Sequence, residues 1–332
     1  MAVTLRYLAG GQILDLLLIY HISKSECYRT IRTTIDAING CPELKFSFPF
    51  DDKEKLRKLE WEFAQAHFNR YGSYSWRGQV GAIDGIDISQ RNPGKAVDNP
   101  TRYYVSRKGG HMLLVIAICD AHRRFLHYDI SQAATTHDSL AWSASKLGVR
   151  FQNGELRSPF FLAGDNAFTC TNSMVTPMND TDFDFYQSSN RMAIECAFGI
   201  FVRRWGVFWR PLEVKFRNRA ALVGAAMRLH NFCIDRRITL ELKQVNGATE
   251  VQPRVWLPTP TSDENGAPLD FLDTFDHSAS PHVPQCETRD RLREHLLQQG
   301  LRRPGESART SALRAAAARA AAARAALPVV PL

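Results

Sequence analysis

The stretch HMLLVIAICD, residues 111–120, carries eight consecutive apolar side chains from Met112 to Cys119 with no alternation. A strand with one wet face would alternate polar and apolar residues, so this run reads as a strand covered on both faces. After it, DAHRR reads as a hairpin turn into RFLHYDIS (124–131), which does alternate. Upstream, QVGAIDGIDIS (79–89) is a third strand. Downstream come a helix, HDSLAWSASKLGVRF (137–151), and a short apolar strand, FFLAGDNAF (160–168). Two helices follow, NRMAIECAFGIFVRRWGVFW (190–209) and RNRAALVGAAMRLHNFCIDRRI (217–238). Three strands, a helix, a strand and more helices predict an α/β domain with a mixed sheet.

The flanks read differently. GQILDLLLIY, the break HIS, and KSECYRTIRTTIDAI predict two helices joined by a short turn, with Ser23 or Ser25 placed to cap the second. Either a DNA-reading helix-turn-helix, its second helix carrying Lys24, Arg29 and Arg32, or two helices of a lid or bundle would give this pattern. DDKEKLRKLEWEFAQAHFNRY (51–71) predicts a charged surface helix or connector. The sequence PTPTSDENGAPLDFLDTFDHSASPHVP (258–284) has the proline and acid content of a linker, ETRDRLREHLLQQG (287–300) that of a short helix. The last residues are low in complexity, with Arg309, Arg314, Arg319 and Arg324 five apart, a spacing that winds them around a helix axis. The expected organisation is a helical region at 1–72, an α/β domain at 78–238, and a linker with an Arg/Ala-rich, partly disordered tail at 239–332.

The totals bound the class. The chain has 332 residues, 44% of them hydrophobic, with a mean hydropathy of −0.28. No apolar run approaches the roughly 20 residues that span a bilayer, and MAVTLRYLAGG lacks the order of a secretory signal. Seven scattered cysteines with no CxxC pair fit reduced thiols inside a cell better than a disulfide framework or a zinc site. The formal charge of +8 permits a polyanionic partner.

Three acids stand out. Asp84 lies within GAIDGI, Asp165 ends FFLAGD, and Glu195 interrupts the apolar helix MAIECAFGIFV. An unpaired carboxylate among apolar groups costs several kcal/mol or neutralises itself, so each needs a cation, a metal or an exit to water. Three together suggest convergence on divalent cations, since Mg²⁺ takes oxygen ligands and a pair of such ions clamps the attacking and leaving oxygens of a phosphodiester displacement. Arg191 one turn before Glu195 is the structural alternative, an i, i+4 ion pair.

GAIDG, YYVSRKGGHMLL, ICDAHRRF, THDS, LAGDNAF, RMAIECAFGIFVRRW and RLHNF, in that order, resemble the DDE endonuclease domain of PIF/Harbinger transposases and host proteins derived from them. The resemblance implies an RNase H-like mixed sheet flanked by helices, with Asp84, Asp165 and Glu195 as the triad. It further implies two Mg²⁺ or Mn²⁺ ions, Asp84 bridging both and Asp165 and Glu195 holding one each. Asp138 of THDS matches a further acid of the family, a metal ligand or its neighbour; an N-cap is the ordinary alternative at a helix start. Ile86 and Asp87 stand where many members have Thr-His, the glycine before HDS is absent, and Phe168 replaces a common tyrosine. Asp87, three residues from Asp84 on a strand, should face the other way.

The function expected is a metal-dependent DNA endonuclease of the transposase type, and the alternative a domesticated, inactive relative acting as a DNA-binding scaffold. Arg102, Arg107, Lys108, Arg203 and Arg204 could track the DNA backbone or simply be solvated surface. His230 and Asn231 are expected to be structural, and Trp205 and Trp209 core aromatics. DNA is the expected partner, with a separate Myb-like protein for sequence reading and nuclear entry. The resemblance also allows a homo-oligomer, and the nucleus follows from the substrate.

Overall fold

The apolar run forms the central antiparallel strand of the sheet, buried from Met112 to Cys119 as expected. The computed structural model describes residues 1–246 and 287–303. Its helices α1 to α4 are Ala2–Leu8, Ile13–Tyr20, Lys24–Gly40 and Lys53–Tyr71. Strands Gln79–Ser89 (β1), Tyr104–Val105 (β2), Gly110–Cys119 (β3) and Phe125–Asp129 (β4) follow, then helices Asp138–Ala144 (α5) and Lys146–Gln152 (α6). Strands Phe161–Ala163 (β5) and Met174–Val175 (β6) precede helices Thr181–Arg204 (α7), Arg219–Asn246 (α8) and Glu287–Gln298 (α9). The linker at 258–284 and the Arg/Ala-rich tail lie outside the described residues.

The strand order is β2-β3-β1-β5-β6, with β4 also on β3. β1, β3 and β4 are antiparallel, while β1, β5 and β6 run parallel. Four antiparallel strands, β2 included, continued by two parallel ones make the mixed RNase H-like sheet. One face carries α7, α8 and α1 to α3 in a single apolar cluster that includes Leu8, Leu16, Ile31, Ala82, Val115, Ile194 and Met227. The other carries α5 and α6 over Ile83, Leu114 and Ile116. Among the described residues no helix is long and apolar enough to cross a membrane, and the six cysteines are free thiols.

Several local expectations change. The break after α2 needs no glycine because His21 itself adopts the left-handed conformation, φ 50°, and Ser23 then caps α3 by accepting from the Glu26 amide. Helix α4 is no mere connector: Leu56, Leu59, Phe63, Glu60 and His67 are buried, and Glu60 meets Arg77 with Nε–Oε1 at 2.5 Å. The helix expected at 137–151 breaks at Ser145, whose hydroxyl caps α6 on the Gly148 amide. Helix α7 begins nine residues before 190, where Asp180 accepts from the Asp182 and Phe183 amides. Trp205 is buried, but Trp209 is 70% exposed and is not a core residue.

Candidate active site

The site is built on the parallel pair β1 and β5. Ala82 faces Ala163 across that pair, which sets Asp84 and Asp165 two residues further along, side by side where β5 ends. Asp84 projects from the face shared by Ala82 and Ile86 towards α7, and its Oδ1 accepts from the Gly85 amide at 2.8 Å. Burial, with the Asp165 charge next, pushes its carboxyl up to about 6, against the opposing effects of the Gly85 amide and Arg191. Asp165 turns the chain after β5, its Oδ1 accepting from the Ala167 amide at 2.9 Å.

Asp138 approaches from the other face. It is the first residue of α5, and the N-cap is His137, so the ordinary N-cap alternative for Asp138 does not hold. Its carboxylate packs on Gly85, where an added Cβ would lie 2.8 Å from Oδ2. The glycine of GAIDG thus permits an acid to sit directly against the strand beside Asp84. Burial and the charges of Asp165 and Asp87 raise the Asp138 carboxyl above its ordinary range. Asp87 faces away from Asp84 as expected, and its Oδ2 pairs with Lys108 Nζ at 3.0 Å.

Glu195 overturns one premise of the sequence reading. The helix around it is apolar, yet its own side chain is 48% exposed, so it was never sealed in the core. It points to the open side of α7 while Ala193, Ile194, Ala197 and Phe198 bury the opposite side. Arg191 joins it to Asp84: Nη2 lies 2.7 Å from Glu195 Oε1, and Nη1 lies 3.4 Å from Asp84 Oδ2. The expected i, i+4 pair is therefore real, and it reaches a second acid. That second contact, 107 residues away in sequence, left no trace in local spacing.

The candidate phosphate-binding cations separate into two groups. Arg107 lies close enough to Asp138 to oppose the rise in its pKa, and Lys108 is tied to Asp87. Arg102 is exposed and its carbonyl accepts from the Thr135 amide, which fastens this loop to the approach to α5. Arg203 is eight residues past Glu195, about 12 Å along the axis. Arg204 donates to the His230 carbonyl at 3.4 Å. His230 and Asn231 are structural: His230 meets the Arg123 carbonyl, and Asn231 both donates to and accepts from the Phe125 backbone at 2.8 Å.

These donors fit a hard divalent cation. All are carboxylate oxygens, and the Asp84 and Asp138 carboxyls are raised by burial first and by neighbouring acids second, the latter a condition a bound cation relieves. They are not yet a closed cage: among the described residues no three acidic, histidine or cysteine side chains stand together around one point, and Arg191 supplies positive charge between Asp84 and Glu195.

Residues 83–231 match the family model described as DDE superfamily endonuclease. The chain is 24% identical over 246 residues to "Putative nuclease HARBI1" of Xenopus laevis. It is 26% and 22% identical over 241 residues to the proteins of that name from Rattus norvegicus and Homo sapiens. Each alignment takes in 70% of this chain and 65% of the relative's length. No solved structure gives a significant match.

Proposed function

We propose, from the match of residues 83–231 to the DDE superfamily endonuclease model, that the protein is a divalent-metal-dependent DNA nuclease of the transposase type. Asp84, Asp165 and Glu195 are its catalytic carboxylates, and Asp138 is a fourth acid at the same strand. The observation that carries this reading is the pair Asp84 and Asp165, side by side beyond the Ala82 and Ala163 register, with the Asp84 carboxyl raised to about 6. A structural acid at a strand end would be given a full set of hydrogen bonds and hold a low pKa.

Mg²⁺ or Mn²⁺, two ions on this reading, would supply charge neutralisation at the attacking and leaving oxygens when bound. Asp84, Asp165 and Glu195 hold and orient that charge, and Asp138 adds to the field from across β1. Water attacks phosphorus, the bond from phosphorus to the 3′ oxygen breaks, and the 3′ hydroxyl leaves. That hydroxyl can then attack a second phosphodiester, which is strand transfer. No serine, tyrosine or cysteine nucleophile is needed. Arg107, on the exposed loop beside Asp138, is placed to meet the DNA backbone, giving affinity that is salt-sensitive and indifferent to sequence. On the same reading a Myb-like protein supplies sequence recognition, and the protein works in the nucleus.

One observation favours a second reading, an inactive DNA-binding scaffold: Arg191 already pairs with two of the acids. Nicking of supercoiled plasmid in Mn²⁺ separates the two. The nuclease reading expects cleavage by the wild type that falls at least about a hundredfold in Asp84→Asn, Asp165→Asn and Glu195→Gln. Cleavage that survives in any of the three amides removes that residue from catalysis, and a wild type that never cleaves favours the scaffold.

A further inference from the structure

We propose that Arg191 is the resident counter-ion of the carboxylate site: its guanidinium holds the position that a divalent cation takes, and the cation enters only as the arginine leaves. The inference rests on the nuclease reading of the acids and adds a regulator to it.

The geometry of the contacts carries the argument. Among the described residues Arg191 is the one cation whose ion pairs reach two of the four acids, Asp84 from β1 and Glu195 from its own helix. It gives each only one nitrogen, and the Asp84 contact is long at 3.4 Å. The pair on Glu195 opens to solvent, that carboxylate being 48% exposed.

A permanent ion pair in this same protein looks different. Arg77 and Glu60 are 2% and 0% exposed, Arg77 uses Nε and Nη2 on the two carboxylate oxygens, and the Gly78 amide completes Glu60 at 3.1 Å. Arg77 has the side-on, fully satisfied geometry that fixes a fold. Arg191 lacks the second nitrogen on either acid, and the Gly85 amide already serves the other oxygen of Asp84. Its contacts serve to cancel charge and are easily surrendered.

Charge makes the two occupants exclusive. A dication held by Asp84 and Glu195 would lie within a few ångströms of the guanidinium, and like charges at that separation in a half-buried site repel strongly. Arg191 has a long side chain, 14% exposed, and its neighbours Met192 and Glu195 are exposed, so solvent borders the side towards which it would leave. Without it, Asp84 and Glu195 would repel one another in the metal-free protein. With it, the site is preassembled but self-neutralised.

The test is calorimetric titration of Mn²⁺ into the full chain and the variants Arg191→Met, Arg191→Lys and Asp84→Asn with Arg191→Met, each first checked for wild-type circular dichroism. Arg191→Gln replaces the methionine variant should the latter misfold. The account expects Arg191→Met to bind at least about tenfold more tightly than the wild type, Arg191→Lys to stay near the wild type, and the double variant to lose binding. The rise in melting temperature at saturating Mn²⁺ should likewise be larger for Arg191→Met. Equal or weaker binding by Arg191→Met, with binding still lost in the double variant, overturns the counter-ion role and leaves the carboxylate site standing. Absence of binding in both the wild type and Arg191→Met overturns both.

Discussion

Asp84 is held by its surroundings in a state that costs the fold stability. Its carboxyl is raised to about 6 by burial first and Asp165 second, and the side chain is 19% exposed. The folded protein therefore binds this proton more tightly than the unfolded chain. The penalty is absent near pH 4, grows as pH rises, and is complete above about pH 6, where it amounts to about 3 kcal/mol. Asp84→Asn should stabilise the metal-free protein by about 1–3 kcal/mol at pH 7 and give no such gain at pH 4, read by urea denaturation at both values. A variant less stable than the wild type at pH 7 would contradict this. Gly85→Ala acts differently: a Cβ 2.8 Å from the Asp138 carboxylate must push that side chain end aside, and a stability change within about 0.5 kcal/mol is expected in the same assay. At this scale Asp84, Asp165 and Glu195 were legible because each interrupts an apolar segment, and Asp138 only through its THDS motif. The reach of Arg191 to Asp84 and the seat of Asp138 on Gly85 were not, since both join residues distant in sequence.

Among the elements, α4 shows how a charged helix is drawn into the core. Its sequence carries many charges, and a surface role follows from composition alone. The fold instead sets Glu60 on buried Arg77 at the entry to β1, a pairing that composition cannot disclose because Arg77 lies 17 residues away. Glu60→Gln leaves the guanidinium buried with no opposing charge, and a loss of about 3–5 kcal/mol is expected by chemical denaturation. Glu60→Leu combined with Arg77→Met should recover most of that stability, and a double variant as unstable as the single one would rule out the ion pair as the cause. The strands β1, β3 and β4 were legible from apolar patterning and length. The two-residue strands β2 and β6 were not, because pairing alone defines them. The break between α5 and α6 was hidden for a related reason: SAS reads as helix until the Ser145 hydroxyl is seen bonding the Gly148 amide.

Across the molecule three buried histidines are held in the neutral form. Burial lowers His67 to about 3 and His127 and His230 to about 4. These groups take up protons on unfolding below the ordinary histidine range, so their contribution is full above about pH 6.5 and is lost as pH falls. Asp84 and Asp120, both raised first by burial, act in the opposite sense over nearly the same interval. Over these five groups unfolding at pH 5 takes up about one proton net, three on histidines against two released from the carboxyls, so together they make stability rise with pH by about 1.4 kcal/mol per pH unit there. Denaturation midpoints that fall between pH 4.5 and 5.5 would refute this balance. The mixed sheet, antiparallel strands extended by two parallel ones, was within reach of the ordered motifs. The sharing of one apolar cluster by α1 to α3, β1, β3, α7 and α8 was not, because nothing in a helical pattern names the surface it packs on.

On the proposed reading, Asp84 in the middle of β1 and Asp165 just past the end of β5 belong to a divalent-cation site that Arg191 neutralises. A crystal of the wild-type protein grown with Mn²⁺ and measured for anomalous scattering tests it most directly. The account predicts a manganese peak bonded to Asp84 and Asp165, with Arg191 moved off both Asp84 and Glu195. Manganese bound elsewhere, with the Arg191 contacts to Asp84 and Glu195 intact, would contradict it.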